Sequence, residues 1–303
     1  MKKKILLLLL LTVMLFTGCT KRFTVEGENK TNKSYVSNIL CQPTTKEMKK
    51  IYEDNSDKVE VDVNKLVKCT NFKVNTGGYE GLWTSIFVKP LAWAIIQIGK
   101  LVKNYGLAIM LASLILRAVL FPFSKKSTMM SENMKKAKPD LDKLEKKYAN
   151  KEDKDAMMKK SQEMMIIYKK YNISPMSGCL FAFLQLPIFF AFLEAIYRVP
   201  VLFEGKFLVF NLGTTPWEGI SSGNYFYIIL IALIIGTTFF SMRNMNNSSM
   251  NDDQAKQMKT MNYFMIAFIS FASFSLPTAI ALYWIVSSGF TVIQNIVIKK
   301  IIK

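Results

Sequence analysis

The chain has 303 residues, of which 50% are hydrophobic and 20% charged, and it carries a formal net charge of +18 at pH 7. Its apolar residues lie in long runs, which excludes an ordinary soluble domain. It contains no histidine, which removes the commonest general base and every histidine metal site. We find no nucleophile elbow, zinc-protease motif or phosphate-binding loop either. We therefore predict no enzymatic activity, no metal and no cofactor.

The first residues predict a secretion signal, assigned to 1–18. MKKK is a basic start, and ILLLLLLTVMLF is an apolar core too short for an ordinary span. The ending TGC resembles a bacterial lipobox, in which the cysteine, here Cys19, becomes lipid-modified and forms the new N-terminus. Phe16 stands where that pattern prefers leucine. A lipid on Cys19 would tether the chain to the outer leaflet, and the alternative is an uncleaved N-terminal anchor.

Residues 19–80 are predicted to form an exported N-terminal segment with limited structure. They are polar, with eleven Lys and Arg residues against nine acids. Cys41 and Cys69 both lie in this segment, and outside the cell they could form a disulfide. The sequence leaves their pairing open.

Residues 81–104 are apolar but interrupted by polar side chains. Lys89, Gln97 and Lys100 fall near one helical face, and Trp93 lies elsewhere. This pattern predicts an amphipathic helix in the outer membrane interface, with the tryptophan at headgroup depth. The alternative is that the segment forms part of a longer first span.

The remaining apolar runs predict an all-α integral membrane protein, because lipid admits only helices or closed barrels and these runs lack barrel alternation. Pro277 divides the last run into two helices. We predict five transmembrane helices, at about 105–123, 177–198, 224–243, 260–276 and 278–298.

The charge of the connecting loops predicts their side of the membrane. The segment 124–175 holds fourteen lysines against eight acids, whereas 200–222 holds one lysine, Lys206. Short cytoplasmic loops collect Lys and Arg. We therefore place 124–175 in the cytoplasm and 200–222 outside a bacterial cell membrane.

The cytoplasmic segment 124–175 carries a heptad stripe of apolar residues, which predicts an antiparallel helical hairpin. The stripe of the first helix comprises Met130, Met134, Ala137, Leu141, Leu144 and Tyr148. The second helix offers Met157, Met164, Tyr168 and Tyr171. The basic exterior of the hairpin suits anionic lipid headgroups or ribosomal RNA, and the sequence does not separate the two.

Arg117 lies about two-thirds of the way through the first predicted span. A cation at mid-depth costs at least about 2.5 kcal/mol and usually faces a cavity or a partner. Glu194 lies near the outer end of its span and pairs more naturally with Arg198, at i, i+4. Neutral polar residues occur in the other spans, among them Gln185, Thr237, Thr238, Ser241, Asn262, Ser270, Ser273, Trp284, Ser287, Ser288, Thr291, Gln294 and Asn295.

This arrangement predicts a hydrated cavity open to the cytoplasm, in which a substrate supplies the anion for Arg117. Two simpler interpretations stay open. The arginine could snorkel to the cytoplasmic interface, and the small polar residues could serve as contacts between helices.

Several segments in the same order resemble the YidC membrane protein insertases, which are related to the mitochondrial oxidase-assembly and chloroplast Alb-type insertases. These segments are IFVKPLAWAIIQIGKLVKNYGLAIMLASLILRAVLFPFSKKS, MKKAKPDLDKLEKKY, SPMSGCLFAFLQLPIFFAFLEAI and ALYWIVSSGFTVIQNIV, and they cover about 83–300. The lipobox and the small exported segment resemble the Gram-positive lipoprotein form of this family.

The resemblance implies a membrane protein insertase and chaperone, acting alone or with the Sec translocon. It implies five helices around a hydrophilic groove open to the cytoplasm, with 105–303 as the insertase core. Its implied partners are nascent membrane proteins, the Sec translocon, the ribosome and membrane lipids, and no DNA. The family's groove arginine corresponds to Arg117. From the polar residues of the other spans we select Gln185, Thr237, Ser273, Trp284 and Ser288 as further groove residues.

Two other functions are compatible with the residues. A secondary transporter for a small anion would use Arg117 as its counter-ion, although such proteins show internal repeats that this chain lacks. A translocon-associated assembly chaperone would need no autonomous insertion.

Overall fold

The computed structural model describes residues 20–26, 32–149, 153–174, 187–243 and 252–302. Most of them are helical. The helices are α1 Lys46–Asp54, α2 Gly81–Val102, α3 Tyr105–Val119, α4 Phe121–Tyr148, α5 Lys154–Lys170, α6 Pro187–Tyr197, α7 Val201–Glu204, α8 Pro216–Ser221, α9 Tyr227–Arg243, α10 Asp252–Ser275 and α11 Thr278–Ile302. The strands are β1 Arg22–Glu26, β2 Asn32–Val36, β3 Lys206–Phe207 and β4 Phe210–Asn211.

The chain divides into two compact units. The first contains the described residues of Met1–Ala112, Gln185–Thr214 and Pro277–Leu282. The second contains the described residues of Ser113–Leu184, Thr215–Leu276 and Tyr283–Lys303.

The N-terminal part of the first unit has a hydrophobic core of its own. Strands β1 and β2 pair antiparallel, with Phe23 opposite Tyr35. Phe23, Tyr52 on α1 and Val63 are buried together, and the rings of Phe23 and Tyr52 meet edge to face with centroids 5.5 Å apart. The expectation of limited structure in 19–80 is therefore wrong for the described part of this segment. Its few apolar residues are separated by lysines and asparagines, and they meet only after the chain folds.

Covalent and polar contacts hold this part of the first unit together. Cys41 and Cys69 form a disulfide, which resolves the pairing that the sequence left open. Glu204 accepts hydrogen bonds from the backbone N–H groups of Thr44 and Thr45, at 2.9 and 3.1 Å. These groups precede α1, so the carboxylate lies at the positive end of the helix dipole.

Helices α2 and α3 are separated by a two-residue turn. Lys103 has a positive φ of 54° and ends α2 in the left-handed conformation. The Asn104 side chain then accepts a hydrogen bond from the backbone N–H of Leu107, at 2.9 Å, which satisfies a free donor of the first turn of α3.

In the second unit, α4 and α5 pack against each other along an apolar seam. Met134, Ala137 and Leu141 of α4 are buried with Tyr168 of α5, and Leu144 and Tyr148 form a further cluster with Ala156. Salt bridges cross the same pair of helices, between Lys147 and Glu163, Lys160 and Glu145, and Lys170 and Asp140.

The prediction that Met157 belongs to the seam is wrong. Met157 is 57% exposed, and its neighbour Ala156 packs against Leu144 and Tyr148 instead. A rotation of one residue, about 100°, separates the two positions on the helix. Met158, Met165 and Ile166 are also exposed, so α5 presents apolar side chains away from the seam.

The last three long helices contain the break that the sequence predicted at Pro277. Helix α10 ends at Ser275 and α11 begins at Thr278. Helix α8 approaches α9 closely at Gly219, where a Cβ atom would lie 2.2 Å from the ring of Tyr227. Only glycine fits this contact.

By length and composition, two described helices could each cross a membrane, namely Gly81–Val102 and Thr278–Ile301. The pair Tyr105–Val119 and Phe121–Tyr148 passes the same test together, although it is bent by 63°. Shorter apolar helices occur at Pro187–Tyr197, Tyr227–Met242 and Asn262–Ser275. The five-span layout remains a prediction, and so does the interfacial position of Gly81–Val102.

Candidate functional site

Arg117 lies in the last turn of α3 and is half-buried. Its Nε donates a hydrogen bond to the hydroxyl oxygen of Ser287 on α11, at 2.8 Å, and a terminal guanidinium nitrogen contacts the same oxygen. Ser287 is itself 4% exposed. The arginine that the sequence singled out is therefore in contact with a neutral polar residue of the last helix.

A second polar contact joins α11 to α9. The indole N–H of Trp284 donates to the hydroxyl of Thr238, at 3.0 Å. Trp284 and Ser287 are three residues apart, so they lie on neighbouring positions of one helical face. Polar side chains of α11 thus contact both α3 and α9.

Other predicted groove residues do not take part in these contacts between helices. The hydroxyl of Thr237 donates to the carbonyl of Leu233, and that of Ser273 donates to the carbonyl of Ser270, each within its own helix. Serine and threonine often satisfy themselves in this way in apolar helices. Ser288 is half-buried on α11. The groove role of these residues remains a prediction.

Two of the predicted site residues, Gln185 and Cys19, lie outside the described residues. Two residues that the structure brings into the site, Ser287 and Thr238, were named among the polar residues of the spans but not selected as groove residues. The sequence offered little reason to prefer them, because Ser287 stands beside Ser288 and Thr238 beside Thr237. The members of each pair are chemically similar but point in different directions from the helix.

The first unit contains a separate cluster of buried charges around Arg198, which follows α6 and is 2% exposed. Its guanidinium contacts Glu80 at 2.6 Å and Glu194 at 3.5 Å. The predicted pair of Glu194 and Arg198 is thus confirmed, and Glu80 is a further partner that the sequence analysis missed. The Nε of Arg198 also donates to the carbonyl of Asn38, at 2.7 Å.

Lys89, which the sequence placed on the polar face of an interfacial helix, is fully buried in the same cluster. Its ammonium contacts Glu80 at 2.8 Å and donates to the carbonyls of Thr76 and Gly78, at 2.8 and 2.7 Å. Burial opposes ionisation of Glu80, but hydrogen bonds from Lys89 and Arg198 outweigh it, and the pKa of this carboxyl lies below its ordinary value. Charges in this cluster neutralise one another.

No group of three or more histidine, cysteine or acidic residues with the geometry of a metal site occurs in the part of the chain that the structure describes. The polar contacts of α11 with Arg117 and Thr238 form the candidate site. Arg117 and its hydroxyl partner can hold an anionic group, and the charge cluster of the first unit fixes local structure.

Comparison with known proteins identifies the class and then the family. Apolar helices and a half-buried arginine among them describe a helical integral membrane protein. Residues 97–303 match the family model described as the 60Kd inner membrane protein. The chain belongs to this family, that of YidC and its relatives.

Two relatives are similar over most of their length, and a solved structure is similar over about half of its own. The membrane protein insertase YidC of Oceanobacillus iheyensis is 36% identical over 230 residues, which cover 74% of this chain and 86% of the relative. The membrane protein insertase MisCA of Bacillus subtilis is 31% identical over 236 residues, covering 77% and 86%. A crystal structure of an active YidC insertase with its first transmembrane domain resolved is 25% identical, with a TM-score of 0.46, and covers 74% of this chain and 48% of that one.

Proposed function

We propose that this protein inserts other membrane proteins into the bacterial cell membrane and helps them fold, without enzymatic chemistry. The observation that carries the proposal is the contact of Arg117 with Ser287 in a chain of this family. The relatives quoted above are named as membrane protein insertases.

The contact between Arg117 and a neutral hydroxyl, that of Ser287, makes the site suited to a transient anion. A hydrogen bond from arginine to a carboxylate is roughly twice as strong as one to a neutral acceptor. An acidic residue in the tail of a substrate would therefore compete well against the Ser287 hydroxyl. The tail would meet a polar site part-way across the membrane instead of the whole hydrocarbon layer. The apolar part of the substrate would leave into lipid, driven by the burial of its apolar surface.

The α4–α5 hairpin would receive the incoming chain on the cytoplasmic side. Its exposed residues Met157, Met158, Met165 and Ile166 lie away from the seam. Methionine is flexible and polarizable, and it suits surfaces that meet varied apolar segments. The excess of lysine in 124–175 favours contact with ribosomal RNA or anionic lipid.

We further propose that the five-span arrangement of 105–303 surrounds a hydrophilic groove, with 81–104 at the outer face. Cys19 would carry the lipid anchor, and the Sec translocon would share some substrates. These proposals rest on the charge and motif patterns of the sequence.

Reconstituted insertion tests the function. Purified protein in liposomes is supplied with a newly synthesised single-span substrate, and protease protection of its short N-terminal tail is scored. Two substrates are compared, one with an acidic tail and one with the acids replaced by their amides. We expect Arg117→Ala to abolish protection of the acidic tail and Arg117→Lys to restore part of it. Neither substitution should change protection of the neutral tail.

The matched control is Lys206→Ala, which removes an exposed cation outside the lysine-rich segment 124–175. It should leave protection of both tails unchanged. Equal protection of the acidic tail in all variants would contradict the role of Arg117. Protection no higher than in empty liposomes would favour a translocon-dependent chaperone, and saturable, Arg117-dependent anion uptake would favour a transporter.

A further inference from the structure

The helix that carries Ser287 also contacts the base of the hairpin. Helix α3 ends at Val119, and α4 begins at Phe121 in a direction 63° away. Arg117 contacts Ser287 before this bend. After the bend, the hydroxyl of Ser124 lies 2.9 Å from the side-chain oxygen of Gln294. Helix α11 therefore has polar contacts on both sides of the bend.

A third contact continues the series one turn further along α4. The hydroxyl of Thr128 lies 3.2 Å from the side-chain oxygen of Asn295. Ser124, Gln294 and Asn295 are all buried, with at most 7% of their surface exposed. Each hydroxyl also lies near a carbonyl of its own helix, Ser124 at 3.0 Å from that of Phe121 and Thr128 at 3.1 Å from that of Ser124. The groups that would lose a partner are therefore the buried amide oxygens of Gln294 and Asn295, and their contacts favour one packing of α4 against α11.

The two contacts are equally spaced along both partners, the α3–α4 segment and α11. From Arg117 to Ser124 is seven residues, and from Ser287 to Gln294 is also seven. Seven residues are two helical turns, about 10 Å along a straight helix. Helix α11 is continuous over Thr278–Ile302, whereas its partner bends between the two contacts. The continuous helix α11 thus contacts its partner on both sides of the bend.

Local sequence at the bend does not account for its direction. Pro122 lies in the first turn of α4, where it removes a backbone donor and disfavours a continuous helix with α3. A proline permits a change of direction, but the direction itself needs a contact on one side. The pairs Ser124–Gln294 and Thr128–Asn295 are contacts of this kind, on the side of α4 that meets α11.

We propose that Gln294 and Asn295 are positioning residues, which set the direction of the α4–α5 hairpin relative to Arg117 through Ser124 and Thr128. The proposal rests on the proposed function, in which the hairpin receives a chain that then reaches Arg117. A hairpin held in one direction would deliver the substrate tail to the arginine, and a hairpin free to swing would do so less often.

The test measures hairpin direction and insertion in the same full-length protein in liposomes. Two spin labels are attached through non-cysteine amino acids at Lys159 and Ser221, both exposed, which leaves all cysteines untouched. Pulsed electron–electron distance measurements then report the spread of hairpin directions. The variants are Ser124→Ala, Gln294→Met and the pair Gln294→Met with Asn295→Leu. The matched control is Thr291→Ala, whose hydroxyl donates to the Ser287 carbonyl of its own helix, at 3.0 Å.

We expect the three variants to broaden the distance distribution, with about a fivefold shift in the population of the native direction for each lost contact. Insertion of the acidic-tail substrate should fall by a similar factor, and Thr291→Ala should change neither. Ser124→Ala combined with Gln294→Met should be no worse than the more severe single change, because both partners of one contact are then absent.

Two results would overturn the proposal. Unchanged distances in all variants would mean that the contacts do not set the direction of the hairpin. Broadened distances with unchanged insertion would mean that the direction does not matter for insertion. If the unaltered protein inserts nothing, the proposed function fails, and the distances still decide whether these residues orient the hairpin.

Discussion

Two arginines of this chain lie among apolar helices, and their surroundings differ. Arg198 is fully buried and contacts two carboxylates, those of Glu80 and Glu194. Arg117 is half-buried and contacts the hydroxyl of Ser287. A new anion would have to break an existing ion pair to reach the first, whereas at the second it would compete with the neutral hydroxyl of Ser287. An arginine that contacts carboxylates stabilises the fold, whereas an arginine that contacts a hydroxyl is suited to transient binding of an anionic ligand.

Replacing the structural arginine should have the largest effect. Arg198→Ala leaves Glu80 and Glu194 without one of their cations, and removing one partner of a buried ion pair typically costs about 3–5 kcal/mol. We expect a lower midpoint of thermal unfolding and faster trypsin cleavage of the first unit. As a control, Lys21→Ala breaks an exposed salt bridge with Glu60 and should leave both measurements unchanged. Similar losses in the two variants would remove the distinction between buried and exposed cations.

Removing the disulfide should have the next largest effect. Replacing Cys41 and Cys69 by serine opens a link between residues 28 apart in sequence, which we expect to lower the free energy of unfolding by about 3 kcal/mol. Hydrogen exchange should increase in β1, β2 and α1, while exchange in α4 and α5 of the second unit should stay unchanged. Equal increases in both units would contradict their description as separate cores.

Replacing Arg117 should have a small effect on stability and a large effect on insertion. Arg117→Ala removes a hydrogen bond to a neutral acceptor, for which we expect a change in stability of about 1 kcal/mol or less. Insertion of the acidic tail should nevertheless be lost. Thermal unfolding and tail protection measured on one preparation check this. A loss of stability as large as that of Arg198→Ala would make Arg117 a structural residue as well.

Acid should weaken the charge cluster of the first unit. Because the pKa of Glu80 is lower in the folded protein than in the unfolded chain, its carboxylate stabilises the fold above its unfolded pKa. That stabilisation decreases as pH falls toward the lowered pKa of the folded state. Unfolding midpoints measured between neutral pH and about pH 3 should fall less steeply for Glu80→Gln than for the unaltered chain. A parallel decline of the two would assign the acid sensitivity to other carboxyl groups.

Periodic features of the sequence led to the parts of the fold that were predicted correctly. The heptad spacing from Met134 to Tyr148 predicted buried positions on α4, and Pro277 predicted the break between α10 and α11. Both rest on local geometry, because helical period and proline stereochemistry act within one or two turns. The same period gave a wrong prediction at Met157. It could not show whether Met157 or the adjacent Ala156 lies in the seam, and the structure has Ala156 there.

The N-terminal segment shows where local patterns were insufficient. Phe23, Tyr52 and Val63 come together over long separations in sequence, and the disulfide joins two further distant residues. None of these residues lies in an apolar run, so composition predicted little structure. Lys89 illustrates the same limit, since its burial depends on Glu80 and two carbonyl groups that no helical period indicates.

The sequence alone determined that this chain enters a membrane, that a cation lies within an apolar helix, and that the last helix carries polar residues along its length. Only the tertiary structure decided which of those residues meet the cation. Ser287 contacts Arg117, whereas its neighbour Ser288 was the one selected as a groove residue, and the two differ by about 100° around the helix. Such a choice depends on how two helices, 170 residues apart in sequence, rotate against each other. That rotation is set by the packing of all their side chains together, and no local pattern encodes it.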